Sequence, residues 1–168
     1  AACSVASGDI SGTTEAEPHT TAYACEDNNT FVLDANEYAV GTAARLEMST
    51  NSAQNVIINN SGTIERTGNS GVILGDGSDT VTITNTGTIK GADQVLFIAS
   101  GDNWIVDNYG TLHGVKAKTI NIRGGDNHKI TNRSKATIKT DGQNAILTWK
   151  TADGTDPVET ITIDNYGT

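Results

Sequence analysis

The chain reads as an all-β protein, a right-handed single-stranded parallel β-helix with about three strands per coil. Three observations predict this. Val56 to Ile64 returns as Val81 to Ile89 at an offset of 25 residues, about one turn of a β-solenoid. An Asn-x-Gly-Thr motif recurs further down the chain, and apolar residues alternate with polar ones before every copy. Period-two alternation that stays in register from row to row describes a strand with one face always inward.

Residues 1 to about 30 show no sustained period, and residues 1–54 are expected to form an N-terminal cap with a first irregular coil. Cys3 and Cys25 lie 22 apart in this segment, and a disulfide between them would tie a loose end to the body. Such a bridge stabilises by about 3 kcal/mol and belongs to an oxidising compartment; two free thiols are the alternative. Phe31-Val32-Leu33 and Tyr38-Ala39-Val40 read as strand, turn, strand. Arg45 to Met48 reads as a further strand or a helical turn. A cap of this kind covers the unpaired edge of a first coil.

Residues 55–168 are expected to hold four to five coils. Aligning the motif puts Asn60, Asn85, Asn108, a degenerate Asn132 and Asn165 in one column. Two residues earlier stand Ile58, Ile83, Val106, Ile130 and Ile163; four earlier stand Val56, Val81, Trp104, His128 and Ile161. Two residues after the Asn comes Gly62, Gly87, Gly110 or Gly167, with Ala136 replacing it in the fourth row. A small residue suits a corner where a β-carbon would crowd the backbone or force an unfavourable φ. Ile64, Ile89, Leu112 and Ile138 then begin a second inward strand, and Val72–Leu74, Val95–Ile98, Ile120–Ile122 and Ala145–Trp149 a third. Polar turns close each coil, the last running from Thr151 to Glu159. The recurring Asn is assigned to amides bonded up and down the stack.

Composition agrees with a thin core: only 36% of residues are hydrophobic, with 18 Gly and 2 Pro. A net charge of −9 argues against nucleic acid as partner, since phosphate requires positive surface. Residues 1–50 carry eight acids against Arg45 alone, whereas residues 113–150 carry eight bases against Asp126 and Asp141. Lys116, Lys118, Arg133 and Lys135 in that basic band, with Tyr109 and Tyr166 beside the ladder Asn, are the candidate binding residues. No apolar run approaches the roughly 20 residues of a membrane span.

Catalysis has few footholds. Asp107 and Asp164 take equivalent outward positions two coils apart, roughly 10 Å by the stacking rule, with Lys129 one coil from each. That spacing is near the window for inverting glycosidases, so a polysaccharide lyase or glycosidase is the runner-up reading. Gly68-Asn69-Ser70-Gly71 resembles a serine-protease nucleophile segment but falls where a turn is needed. Leu74 to Thr82 resembles a calcium-binding RTX nonapeptide, which makes Asp76 and Asp79 a weak calcium alternative; otherwise no metal or cofactor is expected. His128 is expected to be partly buried or at the rim, since no other His or Cys shares its column.

The rows Ile58 to Ile64, Ile83 to Ile89 and Asp107 to Leu112 resemble the I-x-N-x-G-T-I repeats of bacterial autotransporter passenger domains. The resemblance covers about residues 55–168. It implies a secreted, surface-exposed, non-catalytic adhesin fragment, the N-terminal part of a longer protein held at the outer membrane through a C-terminal region. Its implied partners are a host surface protein or glycan, or another copy of itself; a passive spacer is the remaining alternative.

Overall fold

The computed structural model describes residues 2–5, 15–18, 20–48, 52–148, 158 and 160–168. His19, Trp149, Lys150 and most of the 151–159 turn lie outside the described residues. After β1 (Ser4–Val5) and β2 (Ala22–Ala24), the strands come in threes. The first coil holds β3 (Thr30–Leu33), β4 (Tyr38–Gly41) and β5 (Arg45–Glu47). The second holds β6 (Val56–Asn60), β7 (Thr63–Arg66) and β8 (Gly71–Gly75). The third holds β9 (Val81–Asn85), β10 (Thr88–Gly91) and β11 (Gln94–Ile98). The fourth holds β12 (Ile105–Asn108), β13 (Thr111–Gly114) and β14 (Lys118–Ile122). The fifth holds β15 (His128–Asn132), β16 (Thr137–Thr140) and β17 (Asn144–Thr148), and β18 (Ile161–Asn165) lies on β15.

Equivalent strands pair in parallel into three sheets, so the molecule is a β-solenoid of about five turns. Sheet one is β3-β6-β9-β12-β15-β18, sheet two is β4-β7-β10-β13-β16, and sheet three is β1-β2-β5-β8-β11-β14-β17. Among the described strands, only β1 on β2 is antiparallel. Registry follows the sequence columns: Phe31, Ile58, Ile83, Val106, Ile130 and Ile163 are successive partners. Ile64, Ile89, Leu112 and Ile138 stack in sheet two, and Leu46, Ile73, Leu96, Ile120 and Ile146 in sheet three. These columns are the core, buried except at the last rung.

One boundary differs from the sequence reading, and one of its alternatives is decided. The regular stack starts at Thr30, inside the segment assigned to the cap, because Phe31 and Leu33 already register on Ile58 and Asn60. Arg45–Glu47 is a strand paired with β2 and β8, not a helical turn. The cap proper is shorter: Cys3 and Cys25 are disulfide-bonded, Cα atoms 4.4 Å apart, and Tyr23 packs edge-on to Phe31 over the end of the core.

Two side-chain ladders hold the coils in register. In the first, the Nδ2 group of each Asn donates to Oδ1 of the next: Asn60 to Asn85 and Asn85 to Asn108 at 2.8 Å, Asn108 to Asn132 and Asn132 to Asn165 at 2.9 Å. The Asn60 oxygen is buried without a partner because Leu33 occupies the preceding rung. The corner glycines are explained by crowding and not by φ: a β-carbon on Gly87 or Gly110 would stand 2.1 Å from the carbonyl oxygen of the coil before. At Ala136 the inserted residues swing the chain out, with Lys135 at φ 68°.

The second ladder joins the turns between sheets three and one. Asp27 Oδ1 accepts from Gln54 N (2.8 Å) and Gln54 Oε1 from Asp79 N (3.2 Å). Asp79 Oδ1 accepts from Asp102 N (2.7 Å), and Asp102 Oδ1 from Asp126 N (2.8 Å). The residues that follow, Asn28, Asn55, Thr80, Asn103 and Asn127, all have φ between 57° and 60°. Asn tolerates that left-handed conformation better than other side chains, which is why the pair acid-or-amide then Asn recurs at the coil period.

Candidate functional site

Alternation dictates what each sheet shows to solvent. Sheet two shows a column of Thr63, Thr88, Thr111 and Thr137, with a charged column beside it in which Lys90 pairs with Glu65 at 2.8 Å. His113 lies in that column, 2.9 Å from Asp141. Sheet three shows half-buried Leu74, Phe97 and Leu147, the Arg123 guanidinium lying 5.2 Å from the Phe97 ring centre.

Sheet one is different. Among the described residues, the exposed large apolar side chains are Val32, Ile57, Ile105, Tyr109, Ile163 and Tyr166; Ile163 is the last rung of the inward column, and the others lie on the outer face of sheet one or the corner that follows it. Val32, Ile57 and Ile105, each near 45% exposed, point outward from the first, second and fourth coils among Thr30, Asn59, Thr82 and Thr84. Over the first three coils these outward columns carry no charge.

The rest of the face gathers most of the sequence candidates. Arg133 grips Asp107 with two hydrogen bonds, Nε to Oδ1 at 2.7 Å and Nη2 to Oδ2 at 2.9 Å. The same guanidinium lies 5.2 Å from the Tyr109 ring centre. The Arg133 hydrogen bond, with a smaller contribution from the Tyr109 hydroxyl, holds the Asp107 carboxyl below the usual carboxylate range despite partial burial. Asp107 in turn raises the Arg133 guanidinium. Tyr109, Arg133 and Tyr166 each follow the ladder Asn of successive rungs, so they form one ridge along the axis; Tyr166 is 67% exposed.

The remaining candidates divide by position. Lys129 and Asp164 face outward on sheet one, 3.9 Å apart and largely solvated. Lys135 is exposed in the bulge beside Arg133. Lys116 and Lys118 sit elsewhere, at the corner between sheets two and three, so the basic band of the sequence is a girdle around two coils and not one patch. Asp76 Oδ1 accepts from Ser100 Oγ at 2.7 Å and Asp79 is a rung of the turn ladder; among the described residues no group of three His, Cys, Asp or Glu side chains gathers to hold a metal.

The glycosidase pair lacks its acid on the Asp107 side. An inverting pair needs one carboxyl that stays protonated, and Asp107 is shifted the opposite way. That leaves the acid role to Asp164, whose only close described partner is the Lys129 ammonium. Gly68 to Ser70 forms the bend between β7 and β8. His128 departs from expectation: it is 2% exposed, fully buried. Its Nδ1 accepts from Trp104 N at 3.4 Å while Nε2–H donates to the Gly124 carbonyl at 3.0 Å. Trp104 in turn donates Nε1–H to Ser78 O at 2.7 Å and fills the space over Gly75, so this corner is packing.

No protein family, curated protein or solved structure matches the chain.

Proposed function

We propose that this β-solenoid is a non-catalytic adhesion module of a secreted, cell-surface protein of the autotransporter-passenger kind, and that it binds through the outer face of sheet one. The observation that carries this reading is that, apart from Ile163, which ends the inward column, the exposed large apolar side chains among the described residues all lie on that face and its corner. Exposed apolar side chains gathered on one face beside Tyr and Arg are what recognition faces are made of, because such side chains release water and lose little conformational freedom on binding. The buried disulfide supports an oxidising, extracellular location. The I-x-N-x-G-T-I rows support the passenger-like origin.

The test is binding of the purified chain to arrays of glycans and of extracellular proteins, repeated with Tyr166→Ala and Ile57→Asp. Signal lost in both variants but kept after charge reversal at Lys116 and Lys118 supports the reading. No signal for any arrayed molecule, or loss only with Lys116 and Lys118, overturns it.

A further inference from the structure

We propose that the Tyr109–Arg133–Tyr166 ridge is a binding site for a linear glycan chain that bears carboxylates, laid parallel to the solenoid axis. This rests on the adhesion reading and names the ligand class of its charged half.

The chemistry follows from which hydrogen-bonding groups face out. Asp107, the ridge's acceptor, is only 24% exposed and both its oxygens are occupied, by Nε and Nη2 of Arg133. Arg133 Nη1 has no partner among the described residues. The Tyr166 hydroxyl stands on the next rung of the row, and Lys135 is exposed two residues after Arg133 in the same coil. Outward donors backed by a satisfied acceptor call for an acceptor-rich ligand, and a planar guanidinium suits a carboxylate best.

Geometry favours a linear chain over a compact ligand. The three ridge residues occupy successive rungs, about 4.8 Å apart by the strand-spacing rule, close to the length of one pyranose unit. A chain along the axis then presents a sugar to each rung, its carboxylate to Arg133 Nη1 and Lys135, its ring against the exposed Tyr166. Arg133 is already held between Asp107 and Tyr109, so little side-chain freedom remains to be lost on binding. Asp107 has a second effect: it neutralises the guanidinium and so competes with the ligand's carboxylate.

That competition gives a test specific to this chemistry. Isothermal titration of the full chain with an oligogalacturonate, a heparin-derived oligosaccharide and a neutral β-galactan of equal length should show binding to the oligogalacturonate and none to the neutral chain. Arg133→Gln should weaken it at least tenfold, about 1.4 kcal/mol, and Tyr166→Ala several-fold. Asp107→Asn should tighten it about fivefold, the opposite of what loss of a purely structural ion pair would do. Lys90→Gln on sheet two should change nothing, and unchanged circular dichroism melts confirm folding. Equal affinity for the neutral chain, preference for the sulfated chain, or weaker binding in Asp107→Asn overturns the proposal. If the arrays show sheet-one-dependent binding to a protein while no acidic glycan binds here, this inference fails and the adhesion reading survives; silence in both assays removes both.

Discussion

Thr80 has φ 59° where the equivalent residues of four other coils are Asn. A β-branched side chain is strained in the left-handed region, whereas Asn is tolerated there. Thr80→Asn is therefore expected to stabilise by about 0.5–1 kcal/mol, raising the melting temperature by roughly 2 °C. Gly75 is the opposite case: a β-carbon there would lie 2.2 Å from the Trp104 ring. Gly75→Ala must displace a buried indole and lose its bond to Ser78 O, a cost of about 2–4 kcal/mol by chemical denaturation. Asp107 sets a pH dependence. Its folded pKa is depressed, so its contribution is present above the unfolded value of about 4 and is lost as pH falls through the lower folded value. Wild-type stability should accordingly fall relative to Asp107→Asn below about pH 4; parallel acid profiles of the two would refute the pairing.

At the scale of elements, the Asn ladder makes an unequal demand on its rungs. Asn108 sits mid-ladder, so Asn108→Leu leaves Asn132 Oδ1 without its donor, removes one of three acceptors from Asn85 Nδ2 and takes a donor from the Gly110 and Thr137 carbonyls, at about 2–4 kcal/mol. Asn60 already faces Leu33 with an unpaired oxygen, and Asn60→Leu moves that ladder end up one rung; denaturant melts should show less than half the Asn108 cost. This ladder was legible in the sequence because the Asn, the corner Gly and the flanking Ile recur at fixed offsets. The turn ladder was not read from it, since Asp27, Gln54, Asp79, Asp102 and Asp126 differ in type and look like ordinary polar turns. The signal that could have found it is the Asn one residue later. The early start of the stack was missed for the same reason: Leu33 stands where the ladder Asn would be.

For the whole molecule, the disulfide ties the β1 end of the cap to the residue that follows β2. Reduction should lower stability by about 3 kcal/mol and release amide protection in β1 and β2 before the later coils. Which residues share a flank was only partly legible. The sequence grouped Lys116 and Lys118 with Arg133 and Lys135 because charge was counted along the chain, whereas a coil carries residues about eight positions apart onto different sheets. Tyr109 and Tyr166 were recoverable because both follow a ladder Asn. Val32, Ile57 and Ile105 were not, since an outward apolar residue breaks the alternation that identifies the strands.

The central claim, that one of three faces is the recognition surface, is tested most directly by a scan of aspartate substitutions at single outward positions: Ile57 and Ile105 on sheet one, Thr88 and Thr111 on sheet two, Leu74 and Leu147 on sheet three. Each variant is measured for adhesion to whichever arrayed ligand the wild type binds. Loss confined to the sheet-one pair is the expected result, and loss from sheet two or three with sheet one intact would contradict the account.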